Sequence, residues 1–275
     1  SFLGYPGTLG RETFDYMVAD SHTIPAHLES SYDEKIMRMP YSYQPNDNQR
    51  VLNFMQDQRS DHGLPESGFV FCCFNNSYKI SAQEFDVWMR ILSEVDGSVL
   101  WLLEANQTVK QNLRASAAAQ GINPDRLVFA ARASQEAHLS RHKHADLFLD
   151  TFRVNAHTTT SDALWAGLPV LTLQGEQFAA RVASSLLNAV NLDELVVTDA
   201  DAYEQLAIKI ANDEQYQKRL RAKLTDQKAS LPLFDTKSYC QAFGLLLKKA
   251  FNLRAQGKEL TNVAVSPDEL TSGSG

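Results

Sequence analysis

The sequence predicts an α/β fold in which a parallel β-sheet carries helices on both faces. From Phe69 onward, short apolar segments rich in β-branched residues alternate with amphipathic segments. Each interval between two apolar segments is long enough for one helix, which the crossover between parallel strands requires. The apolar segments are continuous instead of alternating with polar residues, as expected for strands that are buried on both faces.

Six apolar segments after residue 68 predict the strands: FVFCCF, SVLWLLEA, RLVFAA, ADLFLDT, LPVLTL and ELVVT. Amphipathic segments between and after them predict helices: SAQEFDVWMRILSEV, TVKQNLRASAAAQG, SQEAHLSRHKH, the segment that begins HTTTSD, QFAARVASSLLNAVN and AYEQLAIKIAND. Ser81 is expected to cap the first helix and Gly121 to end the second. Two further helices follow the last strand: EQYQKRLRAKLTDQK and TKSYCQAFGLLLKKAFNLRAQ.

The two ends of the chain differ from its middle. Residues 1–62 are rich in turns, and we expect there only a short strand, YMVAD, and a short helix, AHLESSYDEKI. Residues 256–275 are mostly polar and end in Gly and Ser, which predicts a flexible tail. The chain therefore divides into residues 1–62, a sheet domain at 63–255 and a tail at 256–275.

Composition and charge exclude several classes of protein. The chain has 275 residues, 44% hydrophobic and 21% charged, which is an ordinary balance for a globular protein. Its net charge of −7 argues against nucleic acid or an anionic membrane as the main partner. Neither a signal peptide nor an apolar run of about 18 residues is visible, so no membrane span is expected. The three cysteines do not form a disulfide pattern, and a cytoplasmic location is expected.

The segment HTTTSDALWAGLPVLTL, which starts at His157, places three threonines at the beginning of a predicted buried helix. A helix start leaves backbone N–H groups unpaired, and a Ser or Thr side chain can cap them. The same N–H groups, together with the helix dipole, also form a site for phosphate. One threonine would be enough for capping, and His157 and Asp162 flank the run. Phosphate binding is therefore favoured over capping alone.

Three loops of the predicted sheet point to the same ligand. In an open parallel sheet, ligands bind outside the carboxyl ends of the strands. The loops after FVFCCF, RLVFAA and ADLFLDT contain NNSYK, RASQEAH and FRVNAHTTTSD, and each carries polar groups without an obvious structural need. The convergence of these loops favours an anion site over a capped helix.

The histidines of SQEAHLSRHKH raise the question of a metal site. His138 and His142 are four residues apart on a predicted helix and share a face, and His144 follows. No Cys or carboxylate is spaced to complete the set, so no metal site is expected. Asp199 and Asp201 form a D-x-D pattern, but they lie between a strand and a helix, where Asp is a natural N-cap.

Several segments, in this order along the chain, resemble the O-GlcNAc transferase family, which includes plant SPINDLY-type enzymes and bacterial homologues with TPR repeats. FNNSYKI, HLSRHKHADLFLDTFRVNAHTTTSDALWAGLPVLTL and GEQFAARVASSLL resemble its C-terminal catalytic half. LGYPGTLGRETFDYMVAD resembles the end of its N-terminal catalytic half, so residues 1–62 are interpreted as a remnant of that half and a linker. The resemblance extends from about Phe2 to Phe251.

The resemblance implies a GT-B glycosyltransferase, with two Rossmann-like halves, a UDP-sugar in the cleft, no metal or other cofactor, and inversion at the sugar carbon. Residues 63–255 would be the UDP-sugar-binding half. The implied reaction transfers a sugar to Ser or Thr of a protein acceptor. N-acetylglucosamine is the preferred candidate for this sugar, and fucose and glucose are the alternatives. The N-terminal catalytic half and the TPR repeats of a longer parent chain are further implied partners.

The resemblance also assigns phosphate-binding residues. Lys79 matches the lysine that holds the diphosphate and is the candidate catalytic residue, and Asn76 lies where a glutamine usually lies near the phosphate. His157, Thr158 and Thr159 match a segment whose backbone and hydroxyl groups hold the phosphates. A lysine and helix N–H groups can together stabilise the charge that grows on a departing diphosphate without a metal.

Other residues are assigned to the nucleoside and the sugar. His138 matches the histidine that packs on the uracil ring, Arg141 matches a nearby arginine, and Asp162 matches the aspartate that binds the ribose hydroxyls. Gln135 stands where human-type enzymes carry a lysine beside the nucleoside, so a positive charge is lost there. The loop that would face the sugar and acceptor comprises Gly4, Tyr5, Pro6 and Gly7.

Two other functions stay open at this point. A UDP-sugar 2-epimerase shares the GT-B architecture, although its acid and base carboxylates are not evident in the predicted cleft. Alternatively, the chain is a nucleotide- or partner-binding domain without activity of its own. Because the family's catalytic candidates and acceptor groove lie largely upstream, we expect this chain alone to be nearly inactive as a transferase.

Overall fold

The computed structural model describes residues 1–10 and 13–271 and has an α/β architecture. In chain order the strands are β1 (Tyr16–Ala19), β2 (Lys35–Arg38), β3 (Val70–Cys73), β4 (Val99–Leu103), β5 (Leu127–Ala130), β6 (Leu147–Leu149), β7 (Val170–Leu173), β8 (Val196–Val197) and β9 (Val263–Ala264). The α-helices are α1 (Ala82–Glu94), α2 (Gln107–Ala119), α3 (Gln135–Arg141), α4 (Thr158–Trp165), α5 (Val182–Asn188), α6 (Ala200–Asn212), α7 (Glu214–Thr225), α8 (Thr236–Ala255) and α9 (Pro267–Thr271).

Six strands form one parallel sheet in the order β5-β4-β3-β6-β7-β8. The chain moves outward from β3 to β5, returns to the other side of β3 to form β6, and then moves outward to β8. Right-handed crossovers that run in opposite directions place their helices on opposite faces of a sheet. The predicted parallel sheet with helices on both faces is therefore confirmed, and its strand order reverses between β3 and β6.

The core of the larger sheet is mostly apolar. All four residues of β3 are buried, and Trp88 on α1 and Trp101 on β4 are fully buried. Each large apolar side chain buried in this way contributes roughly 1.5–3 kcal/mol relative to exposure. Cys72 and Cys73 are free thiols in this core, and burial raises the pKa of both. Neither thiol is therefore positioned for chemistry in solvent.

Local capping signals place the helix ends where the sequence predicts them. Ser81 and Glu84 form a capping box at the start of α1. α2 ends at Ala119, and Gly121 follows with a φ of +80°, a left-handed conformation that favours Gly. Asp199 caps α6, because its carboxylate accepts a hydrogen bond from the Ala202 N–H at 2.7 Å. The D-x-D pattern is thus a helix cap, as predicted.

Three strands form a second, smaller parallel sheet in the order β1-β2-β9. Its third strand lies in the segment 256–275, for which composition predicts a flexible tail. Val263 pairs with Met37, and both Val263 and Val265 are buried. The expectation of a loose tail is wrong for residues 263–265, because two valines find an apolar partner strand that is distant in sequence.

The predicted helix AHLESSYDEKI is also partly wrong. Ala26–Ser31 form a short 3-10 turn, whereas Lys35–Arg38 form β2. Ile36 and Met37 are buried in the small sheet, so tertiary packing overrides the local helical pattern. Within residues 1–10 and 13–271, no helix combines the length and the apolar character that a membrane span requires.

A buried polar network joins the small sheet to the larger one. The Asp20 carboxylate, directly after β1, accepts hydrogen bonds from the Tyr43 N–H at 2.8 Å and from the Ser185 hydroxyl on α5 at 2.7 Å. Arg181 Nε donates to the carbonyl oxygen of His22 at 2.6 Å. Buried polar groups that are paired in this way hold two layers in one geometry. The segment around Tyr43 is thereby fixed beside the carboxyl edge of the larger sheet.

Candidate functional site

The loop between β6 and α4 is held by Asp150, the residue that follows β6. Its carboxylate accepts hydrogen bonds from the Ala156 N–H at 2.7 Å, the Thr151 N–H at 2.8 Å and the Thr172 hydroxyl at 2.8 Å. Burial raises the pKa of Asp150 to about 7, against the opposing effect of these donors and of Lys79. Asp150 is absent from the sequence-predicted site, although a carboxylate directly after a buried strand is a signal that could have found it.

Lys79 lies in the 3-10 turn Ser77–Lys79, which follows β3. Its Nζ donates a hydrogen bond to the carbonyl oxygen of Asn155, at 2.8 Å, in the loop before α4. Burial lowers the pKa of Lys79, while the nearby Asp150 carboxylate raises it. The expected convergence of the loops after β3 and β6 is therefore found, and the role of Lys79 toward phosphate stays a prediction.

His157 occupies the N-cap position of α4 without a side-chain capping bond. Its Nε2 lies 3.2 Å from the carbonyl oxygen of Ala179. Burial lowers the pKa of His157 to about 4, and the charge of Lys79 acts in the same direction. The ring is therefore neutral at pH 7 and lies close to the Lys79 ammonium.

The threonines do not cap α4. Thr158 is exposed and Thr159 is half-buried, and both lie inside the first helical turn rather than at the N-cap. Among residues 1–10 and 13–271, no side chain accepts a hydrogen bond from the N–H groups of this turn. Capping alone does not explain the threonine run, and the start of α4 presents backbone donors that suit an anion.

A cleft of about 380 Å³ opens in front of α4. One wall is the segment 43–50, and the other is formed by the first residues of α3 and α4. Its lining comprises Leu3, Tyr43, Gln44, Pro45, Asn46, Asp47, Arg50, Gln135, His157, Thr158 and Ser161. Three residues of the sequence-predicted site, Gln135, His157 and Thr158, therefore meet in one cleft.

His138 and Arg141 are not part of the lining of this cleft. The His138 ring meets Phe74 edge-on with centroids 5.4 Å apart, and burial lowers its pKa to about 4. The Arg141 guanidinium lies 4.7 Å from the centroid of Phe74, and its Nη1 donates to the Ala131 carbonyl oxygen at 2.7 Å. Arg141 therefore fixes the loop before α3. The half-buried ring of His138 is neutral at pH 7, because its pKa is lowered to about 4.

Asp162 is buried and forms an ion pair with Arg50, from the segment that forms the opposite wall. Burial raises the pKa of Asp162, and the Arg50 charge opposes this effect. Arg50 is absent from the sequence-predicted site. It lies in a polar loop without periodicity, so no sequence signal marks it.

Asn76 and the first loop lie at the edges of the site. Asn76 is exposed, and its Nδ2 lies 3.3 Å from the Tyr78 hydroxyl. Leu3 lines the cleft, and the predicted sugar-facing residues follow it: Gly4, Tyr5, Pro6 and Gly7. Gly4 and Tyr5 are exposed, whereas Pro6 and Gly7 are half-buried. Gly4, Tyr5, Pro6 and Gly7 are themselves not part of the lining of this cleft.

Two histidines of SQEAHLSRHKH share a face as their spacing predicts: the ring centroids of His138 and His142 lie 4.8 Å apart. His142 packs edge-on against Phe74, as His138 does. His144 instead meets Asp57 and His62, and the three possible ligand atoms lie within 4.8 Å of one another. Lys143 Nζ lies 2.5 Å from the Asp57 Oδ1, so an ammonium already neutralises this carboxylate. The Asp57 carboxylate does meet two histidines, His62 and His144, but the fold brings them together and not their sequence spacing.

A parallel sheet with helices on both faces, whose strand order reverses between β3 and β6, is the architecture of one Rossmann-like half of a GT-B glycosyltransferase. Residues 1–59 and 51–243 match Glycosyl transferase family 41. The chain belongs to this family. It is therefore a member of a glycosyltransferase family by sequence as well as by fold.

The relatives that are similar in sequence to this chain include two named N-acetylglucosaminyltransferases. The chain is 37% identical over 276 residues to the probable UDP-N-acetylglucosamine–peptide N-acetylglucosaminyltransferase SEC of Arabidopsis thaliana, covering 98% of this chain and 28% of that protein. It is 36% identical over 205 residues to the UDP-N-acetylglucosamine–peptide N-acetylglucosaminyltransferase of Caenorhabditis elegans, covering 74% of this chain and 18% of that protein. The chain thus spans less than a third of the length of these relatives.

Solved structures agree with the fold. A mutant O-GlcNAc transferase of Thermobaculum terrenum matches with a TM-score of 0.80 and 28% identity, over 91% of this chain and 46% of that chain. WaaG, a glycosyltransferase involved in lipopolysaccharide biosynthesis, matches with a TM-score of 0.60 at 14% identity, over 86% of this chain and 63% of that chain, which shows a shared fold only.

Proposed function

We propose that this chain is the donor-binding part of an enzyme that transfers N-acetylglucosamine from UDP-N-acetylglucosamine to Ser or Thr of proteins. The observation that carries the proposal is the position of the Lys79 ammonium beside the uncapped start of α4. A positive charge and aligned backbone donors at one point suit a diphosphate. The names of the Arabidopsis and nematode relatives support the choice of donor and of acceptor class.

The proposed chemistry is an inverting substitution. The acceptor hydroxyl oxygen forms a bond to the anomeric carbon while the bond from that carbon to the β-phosphate oxygen breaks, and UDP leaves with the electron pair. Lys79 and the N–H groups of Thr158 and Thr159 would stabilise the negative charge that grows on the leaving diphosphate. The acceptor proton passes to a base or to solvent, and we assign no residue of this chain to that step.

We assign the nucleoside to the other end of the site. Gln135 lines the cleft and can form hydrogen bonds with a base edge, and His138 would present its neutral ring to the uracil. The buried carboxylate of Asp162 is proposed to accept hydrogen bonds from the ribose hydroxyls. Asn76 and the loop Gly4–Gly7 would lie toward the phosphate and the sugar.

The remaining partners are proposals as well. We expect the acceptor protein, an N-terminal catalytic half and TPR repeats to act together with this part in a cytoplasmic enzyme. Because the chain spans 28% of the Arabidopsis relative, we expect it to bind the donor but to transfer little sugar alone. Holding two reactants in one geometry is worth roughly 7–11 kcal/mol of barrier, and part of a cleft supplies little of it.

Titration calorimetry with UDP in the presence of EDTA tests this proposal. We expect binding without any divalent ion, because Lys79 and the helix start supply the positive potential. Binding that requires added Mn²⁺ or Mg²⁺ would contradict the metal-independent site. Incubation of the full-length protein with UDP-N-acetylglucosamine and an acceptor protein then separates transfer from epimerisation, since an epimerase would release the epimer and modify no protein.

A further inference from the structure

Arg50 is a cation that three contacts hold in the wall of the cleft. Its side chain is 12% exposed, and its Nη1 forms an ion pair with Asp162. Its Nε donates a hydrogen bond to the Asp47 carbonyl oxygen at 3.1 Å, and its guanidinium carbon lies 5.5 Å from the centroid of the Trp165 ring. The orientation of this guanidinium is therefore set before any ligand arrives.

Of the two partners in this ion pair, only Arg50 lines the cleft. Arg50 lines it together with His157 and Thr158, whereas Asp162 is not part of the lining. The guanidinium is thus the part of this ion pair that contributes to the cleft surface. Among residues 1–10 and 13–271, no hydrogen bond involves the Arg50 Nη2.

The surroundings of Arg50 favour an anion in the cleft, and the one carboxylate of the lining, Asp47, already accepts a hydrogen bond from the Gln49 N–H at 2.8 Å. The uncapped first turn of α4 and the Lys79 region lie at the same edge of the sheet, and Gln135 in the opposite wall is neutral. A planar guanidinium with a free edge binds phosphate oxygens through paired N–H donors, and a carboxylate behind it fixes the plane.

We propose that Arg50 is a further donor-binding residue, which contacts the phosphates of the nucleoside diphosphate. Asp162 positions it through the Oδ1 atom of the ion pair, while its other carboxylate oxygen serves the ribose. This inference rests on the proposed function and adds a charged group from outside the sheet domain. It adds a second cation besides Lys79 to the proposed phosphate site, on the wall opposite the α4 start. The segment 43–50 then becomes part of the binding site instead of a connection between two sheets.

A matched control is available on the same aromatic ring. Lys228 Nζ lies 4.7 Å from the centroid of Trp165 and donates to the Trp165 carbonyl oxygen. Lys228 is not among the residues that line the cleft. Removal of its charge changes the packing on Trp165 in a similar way but removes no donor from the cleft.

The test compares UDP with uridine as probes in the natural full-length protein by calorimetry. Arg50→Gln should weaken UDP binding about tenfold or more, the size expected for a lost charge-assisted hydrogen bond. The same variant should change uridine binding less than about threefold, because uridine has no phosphate. Arg50→Lys should lie between Arg50→Gln and the parent, and Lys228→Gln should bind UDP like the parent. Thermal unfolding of each variant shows whether the fold is retained.

Three results would overturn the inference. UDP affinity that is unchanged in Arg50→Gln would show that the guanidinium does not touch the phosphates. An equal loss for UDP and uridine would show that Arg50 only orients Asp162 toward the nucleoside, and tighter UDP binding would show that Arg50 blocks Asp162. If the parent protein itself does not bind UDP, the proposed function fails, whereas these three results reject the role of Arg50 alone.

Discussion

At the scale of single residues, the Lys79 side chain reaches from the end of β3 to the loop before α4, where it ends on the Asn155 carbonyl oxygen. This contact serves the fold, since it ties two loops together. The charge at its tip lies near His157 and the helix start, where the proposed function needs it. A substitution that keeps the stem and removes the charge separates these two roles.

Lys79→Met is expected to weaken UDP binding about tenfold or more, because the methionine keeps the apolar stem and loses the charged donor. Turnover of the full-length enzyme should fall as well, since the same charge would stabilise departing UDP. Calorimetry and a transfer assay measure the two effects. Lys218→Met is the control, since Lys218 is 73% exposed on α7 and pairs with Glu214. Parent-like binding and turnover in Lys79→Met would show that the phosphate site is misassigned.

At the scale of elements, α4 is a short helix that lies between the cleft and the turn into β7. Its first turn faces the cleft, and its C-terminal end turns into β7 through Gly167, which has a φ of +82°. A Cβ at Gly167 would lie 3.1 Å from Thr225 Cγ2, so this position is tight as well as left-handed. The turn at Gly167 thus holds the helix in the place where its start can face a ligand.

Gly167→Ala should lower the free energy of unfolding by about 1–2 kcal/mol, because alanine is strained in the left-handed region. Urea denaturation measures this loss. Gly244→Ala is the matched control: Gly244 lies within α8, and a Cβ there meets nothing within 4 Å. That variant should gain about 0.5–1 kcal/mol, as expected for an exposed helix interior. Equal effects of the two substitutions would show that the conformation at Gly167 does not stabilise the fold.

At the scale of the whole molecule, three buried or half-buried histidines make the free energy of unfolding depend on pH. Burial lowers the pKa of His142 to about 3 and that of His138 and His157 to about 4. In the unfolded chain a histidine titrates near pH 6.5, so between about pH 6.5 and 4 the unfolded state binds more protons. Stability should therefore fall as the pH falls through this range. Asp150 has the opposite effect on stability. Its raised pKa makes the folded state bind more protons than the unfolded state in this pH range, so its contribution to stability grows as the pH falls.

The contribution of one histidine can be isolated with His142→Asn, since the asparagine amide can replace the Nδ1–H that bonds to the His138 carbonyl oxygen at 2.7 Å. For the parent, His142 should contribute about 2 kcal/mol to the stability lost between pH 7 and pH 5. The variant should lose correspondingly less in urea denaturation at the two pH values. The same pH dependence in parent and variant would mean that His142 is not buried in its neutral form.

The sequence predicts most of the larger sheet, because each of its strands and helices is encoded locally. The continuous apolar run of β3, the Ser81 capping box and the turn at Gly121 all depend on neighbouring residues. Parallel strands bring their carboxyl ends to one edge, so the meeting of the Lys79 loop with the loop before α4 also follows from the pattern. Their roles toward a ligand stay predictions.

Only the tertiary structure decided which distant segments complete the molecule. Nothing local in VAV marks Val263 as the partner of Met37, and no periodic pattern marks Arg50, which pairs with Asp162 across 112 residues. The same holds for His144, which meets Asp57 instead of His138. Local patterns specify conformation through backbone propensity and one-sided burial. The partner of a loop residue depends instead on how whole layers pack, and that information is spread over the entire chain.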